Sequence, residues 1–114
     1  MLMKNYYGLN IDLNARINDG KTGFHLTCWN DHTEVAKLLM KNSVEFDINL
    51  NAIDDFGMSA FHLSCWFGKT RTVQMLLSNT KCFNIDVESR TKLGKTGFEL
   101  AKQDVKYSDF PRKC

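Results

Sequence analysis

A chain of 114 residues, 43% hydrophobic and 25% charged, is sized and composed for one modest soluble domain. Fifteen basic against thirteen acidic side chains leave a formal charge of +2, too weak a bias to argue for nucleic acid or an anionic membrane. No apolar run approaches the ~20 residues of a membrane span, and the segment from Met1 to Tyr7 is too short and polar to read as a secretory signal.

In chain order, the first phrase is Leu2-Met3-Lys4-Asn5, which returns as Leu39-Met40-Lys41-Asn42, 37 residues on. The next, Ile11-Asp12-Leu13-Asn14, returns as Ile48-Asn49-Leu50-Asn51 and as Ile85-Asp86-Val87-Glu88. The third is Gly20-Lys21-Thr22-Gly23-Phe24-His25-Leu26-Thr27-Cys28-Trp29. It recurs as Gly57-Met58-Ser59-Ala60-Phe61-His62-Leu63-Ser64-Cys65-Trp66, and altered as Gly94-Lys95-Thr96-Gly97-Phe98-Glu99-Leu100-Ala101-Lys102-Gln103. A fixed period of this size signals a stacked array of small units rather than a globule around one pocket.

Each unit reads as helix, turn, helix and extended loop. The first helix is predicted over about 23–30, 60–67 and 97–104, with Thr22 and Ser59 placed to cap it. Its apolar positions include Phe24 and Leu26, Phe61 and Leu63, and Phe98 and Leu100. A second helix is predicted over about 33–41 and 70–77, capped by Thr33 and Thr70. Val35, Leu38 and Leu39, and again Val73, Leu76 and Leu77, share a face at helical spacing. Gly68 between the helices suits a positive φ, and Asp31 takes that place in the first unit at some cost. The stretch from Phe46 to Ala52 alternates as extended chain and ends in the turn Asp54-Asp55-Phe56-Gly57.

This pattern resembles the ankyrin repeat. The family's turn glycine, Thr-Pro-Leu-His helix start, Gly-His turn and paired leucines correspond to Gly20, Thr22-Gly23-Phe24-His25, Asp31-His32 and Leu38-Leu39. In the second copy they correspond to Gly57, Ser59-Ala60-Phe61-His62, Gly68-Lys69 and Leu76-Leu77. The chain departs from the pattern in replacing the proline by Gly23, Ala60 or Gly97, and the leucine by phenylalanine. Its period is also longer, with the excess near 43–46 and 80–83. The resemblance implies an all-α solenoid of stacked helix-turn-helix units with extended finger loops. It covers residues 1–104, as a partial repeat over 1–16, repeats over 17–53 and 54–90, and a more polar capping partial repeat over 91–104. Residues 105–114, with Pro111 where a helix interior should be, are expected to form an irregular tail.

By its period, Leu2-Met3-Lys4-Asn5 falls at the end of an outer helix. The array is therefore expected to open in mid-repeat, as a fragment of a longer array or with a stacking partner on its first face; the alternative is a tail folded back as an irregular cap. Cys28 and Cys65 hold equivalent places in successive repeats, roughly ~10 Å apart by ordinary helix packing. That is too far for a disulfide, which needs Cα atoms within about 7 Å. They are expected to be buried thiols of an intracellular, reducing compartment, cytoplasm or nucleus, and Cys82 and Cys114 have no evident partner.

His25 precedes Cys28 by three residues, as His62 precedes Cys65, and such pairs could approach on a helix. Yet each pair falls in the slot where the resemblance implies a histidine that hydrogen-bonds local backbone and braces the turn. No catalytic residue is therefore expected. The chain has no CxxC, and His25 and His32 share no face with a second ligand pair, so no metal is expected either. No phosphate loop is present, so no cofactor is assigned. Asp54-Asp55 reads as a solvated finger tip.

The resemblance places partner binding on the concave side, on finger tips and the exposed ends of inner helices. Those positions are Asn18, Asp19, Lys21, Trp29 and Asn30; then Asp55, Phe56, Met58, Trp66 and Phe67; then Lys92, Leu93, Lys95, Gln103 and Asp104. The second repeat puts four large apolar side chains there, where the family usually carries polar or variable ones, and exposed aromatics mark binding sites. The candidate partner-binding residues are Phe56, Met58, Trp66, Phe67, Trp29, Asn30, Lys21 and Asp55. Trp29 and Trp66 are open to a second reading as core packed between inner helices. The expectation is a non-catalytic module or scaffold that binds a partner protein, without nucleic acid or membrane. The alternative is an ankyrin segment of a larger enzyme, channel or scaffold whose activity lies outside this chain.

Overall fold

The computed structural model describes residues 14–101, together with the backbone of residues 2–4 and 10–12. Leu2–Lys4 (β1) and Asn10–Asp12 (β2) form an antiparallel ribbon with Met3 opposite Ile11. The expected end of an outer helix at Leu2–Lys4 is therefore corrected to a strand. Three or four residues cannot offset the cost of helix nucleation, whereas a second strand supplies backbone partners at once. From Asn14 to Ala101 the described residues form an all-α solenoid.

Gly23–Trp29 (α1), Ala60–Trp66 (α3) and Gly97–Leu100 (α6) are the inner helices, and they pack in a row, α1 on α3 and α3 on α6. Thr33–Lys41 (α2) and Thr70–Ser78 (α4) turn back along them as the outer row. Each inner helix starts the same way. The hydroxyls of Thr22, Ser59 and Thr96 accept the backbone N–H of His25, His62 and Glu99, whose side chains accept the cap residue's own N–H in return. The third inner helix is shorter than predicted. Ala101 is already extended, and residues 102–104 lie outside the described residues, as does the predicted tail over 105–114.

Inner and outer helices are joined by a left-handed residue, Asp31 at φ 60° and Gly68 at φ 67°. The strain at Asp31 is offset by a contact glycine could not make, since its Oδ1 accepts the Thr72 hydroxyl of the next repeat at 2.6 Å. Thr33 and Thr70, expected as caps, are instead the first helical residues. His32 and Lys69 precede them without a side-chain cap, because the tight left-handed turn already sets the entry of the chain.

Val73, Leu76 and Leu77 are buried as predicted, but in α2 the inward face is Thr33, Ala36 and Met40, while Val35 and Leu38 are exposed and Leu39 half-buried. The reason is position in the stack. Thr72 and Met75 of α4, one period after Val35 and Leu38, are buried, and α4 packs on α2. No described outer helix lies on the other side of α2. The longer period is taken up by the turns over 42–47 and by Thr80–Phe83 (α5), which end at the left-handed Asp47 and Asn84. There Asn14 donates to the Asp47 carbonyl and accepts from the Asn49 N–H. Asn51 does the same to Asn84 and Asp86, so each asparagine ties its loop to the next.

Cys28 and Cys65 are buried, free thiols. Cys82, which has no evident partner in the sequence, is disulfide-bonded.

Candidate binding groove

The fingers are joined by one backbone hydrogen bond each, Asp55 N–H to the Asp19 carbonyl at 2.9 Å and Lys92 N–H to the Phe56 carbonyl at 3.2 Å. Gly57 makes the second approach possible. Its φ is +74°, and a Cβ there would lie 2.8 Å from the Lys92 nitrogen. The finger tips thus stand in line above the ends of the inner helices. Between the two rows lies a groove of about 400 Å³.

Its wall is aromatic. Phe56 is 59% exposed, Trp66 49% and Phe67 47%. The Phe67 ring contacts both tryptophans, stacked on Trp66 with centroids 5.8 Å apart and tilted on Trp29 at 5.4 Å. Of the two readings of the tryptophans, this geometry favours the groove. Both line it, and Trp66 is half in solvent. Leu63 and Leu100 complete the apolar lining, with Thr91, Lys92, Leu93 and Lys95 of the third finger closing the far side.

Two candidate residues prove to be buried. Met58 is only 4% exposed and forms floor rather than rim. Lys21, expected to reach acidic groups on a partner, is 6% exposed and already matched within the chain. Its Nζ lies 2.7 Å from Asp19 Oδ2 and 3.1 Å from Asp54 Oδ2, and sits over the rings of Trp29 and Phe56 at 5.6 and 5.8 Å. Burial works against its charge, but its pairing with Asp19 and Asp54 outweighs that and holds its pKa above the ordinary lysine range. Asp19 is correspondingly lowered, chiefly by its bond to Lys21. The Asp54 side chain is fully buried. Its Oδ1 accepts the N–H groups of Phe56 and Met58, and its Oδ2 meets Lys21 as an ion pair without hydrogen-bond alignment.

Asn30 and Asp55 do not line the groove. The Asn30 amide donates to the Leu26 carbonyl and finishes α1, while Asp55 is exposed beside it. The groove therefore unites Lys21, Trp29, Phe56, Met58, Trp66 and Phe67. It takes in Lys92, Leu93 and Lys95, which the sequence places on the concave side, and adds Asp54, Leu63, Thr91 and Leu100, for which the only signal was the shared repeat offset.

The histidines of the His–Cys pairs are engaged as structural braces. His25 Nδ1 accepts the Thr22 N–H at 3.1 Å, so the proton resides on Nε2, which faces the Met58 carbonyl at 2.9 Å. His62 is held between Ser59 and the Ser89 carbonyl in the same way. Neither ring has a nitrogen left to serve as base. Burial pushes the Cys28 and Cys65 thiols up to about 12. Among the described residues no cluster of three His, Cys, Asp or Glu could hold a metal, and no helix is long and apolar enough to cross a membrane.

Helical hairpins stacked at a fixed period, with fingers overhanging the inner row, define a repeat solenoid with a preformed groove and no chemical apparatus at its His–Cys pairs. The family model of ankyrin repeats, in three copies, matches residues 1–91, and the chain belongs to that family. Its members are generally protein–protein interaction modules and typically non-enzymatic. No curated protein matches the chain.

Proposed function

We propose that this chain is a non-catalytic recognition module that seats a partner protein in the groove between fingers and inner helices, with Phe56, Trp66 and Phe67 as apolar anchors. The observation that carries it is the joint exposure of these three rings at one rim. Large aromatics left half in water make a poor core and a good hot spot. The Phe67 and Trp66 rings are also stacked before any partner arrives, with Phe67 against Trp29 as well, and the Phe56 backbone is tied to the next finger, so less ordering entropy is lost on binding.

The test is affinity capture with the wild-type chain and with a Trp66→Ala/Phe67→Ala variant whose far-ultraviolet circular dichroism is native. A partner held through the groove should be lost from the variant, each ring being worth about 2 kcal/mol or more if it is a hot spot. Equal recovery by both proteins would sink the reading.

A further inference from the structure

Resting on that reading, we infer that the groove selects an extended segment of a partner protein in which a bulky apolar side chain is flanked by aspartate or glutamate. The apolar part follows from the floor and wall. The acidic part follows from which charges around the groove remain uncompensated. Four charged side chains line it. Lys21 is taken up by the buried Asp54 and by Asp19, so that cluster presents no free positive charge to a ligand. The other two, Lys92 and Lys95, are both exposed, and neither forms an ion pair among the described residues. No exposed carboxylate lines the groove. A ligand resting on the aromatic wall thus meets two exposed ammonium groups on the third finger, of which Lys95 also feels the exposed Glu99 outside the groove lining.

Charge also argues against the chain's own end as the occupant. Residues 102–114 carry four basic and two acidic side chains, the wrong sign for a lysine rim. A volume of about 400 Å³ lies at the lower end of ligand-site sizes and suits one anchoring side chain and its neighbours rather than a whole helix.

The experiment is a random-peptide display selection on the folded full chain at about physiological salt, with enriched peptides synthesised and titrated against it by tryptophan fluorescence. The expected result is enrichment of an aromatic or leucine with two or more acidic neighbours. Affinity should fall about tenfold or more in Lys92→Glu/Lys95→Glu, and return when the peptide's acidic residues are exchanged for lysine. Peptides that need Trp66 but are neutral or basic, or that bind the charge-reversed chain equally well, would overturn the inference and leave the groove reading standing. Selection of nothing sensitive to Trp66→Ala would count against both. A dimer in sedimentation that Phe67→Ala dissolves and Lys92→Glu/Lys95→Glu does not would give the groove to a second copy and overturn the acidic segment.

Discussion

His25 Nε2 lies 2.9 Å from the carbonyl oxygen of Met58, one repeat further on, while its Nδ1 closes the cap of its own helix. One imidazole thus does two jobs, bracing the start of α1 and joining it to the finger of the next repeat. His62 does the same toward Ser89. At the third position Glu99 keeps the first job, accepting the Thr96 N–H, but a carboxylate has no proton to offer a following carbonyl and turns to Arg90 instead.

Acid should weaken the stack. Burial lowers the pKa of both His25 and His62 below the ordinary 6.5. The unfolded chain therefore takes up protons first as pH falls. The stability that neutral imidazoles contribute is complete above about 6.5 and is lost as pH drops from there through the lower folded pKa values. Urea midpoints should decline between about pH 7 and 5, and a His25→Gln/His62→Gln protein should show a flatter profile over that window. An unchanged slope in the double variant would refute the assignment.

Two glycines that begin inner helices should respond oppositely to alanine. At Gly23 a Cβ would meet nothing within 4 Å, so Gly23→Ala should be neutral or stabilise by about 0.5 kcal/mol through helix propensity. At Gly97 it would lie 2.5 Å from Phe61 Cε2, and Gly97→Ala should cost about 1–3 kcal/mol by overpacking. Thermal or urea unfolding of both variants decides it, and equal effects would contradict the packing of α6 on α3.

Lys21 should be exchangeable only together with Asp54. The second repeat carries Met58 at the equivalent place, and the third finger carries Thr91 where the second has Asp54. Thr91 Oγ1 accepts the Lys95 N–H much as Asp54 Oδ1 accepts that of Met58. Lys21→Met alone strands a buried carboxylate and should cost about 3 kcal/mol. Adding Asp54→Thr should recover most of that loss in a double-mutant cycle. Additive losses would show that the pair is not coupled.

Cys28 and Cys65 should resist thiol reagents in the native chain at about pH 8, because burial holds both near 12 and closes access. Peptide mapping after labelling should find them modified only once the chain is unfolded. Rapid native labelling of either would reopen the case for a reactive thiol.

Much of this molecule was legible in the repeat. Equivalent residues at a fixed spacing face equivalent neighbours, so helices, inner-helix caps, fingers and the row facing the groove could be read by register alone. That register also put Phe56, Trp66 and Phe67 on finger and helix end, where they line the groove. What register could not give is how each copy differs from its neighbour. Val35 and Leu38 carry a helical pattern as good as that of α4, yet they are exposed because no described outer helix packs on that side of α2. Lys21 reads as a surface lysine until Asp54, on another finger, is brought within 3.1 Å. Gly23 and Gly97 share one repeat position, and only the Phe61 ring tells them apart. The sequence by itself determined the unit and its stacking, which arise from local hydrogen bonds and apolar periodicity. The tertiary structure alone decided which charges cancel and which remain at the groove, because that depends on distances between residues far apart along the chain.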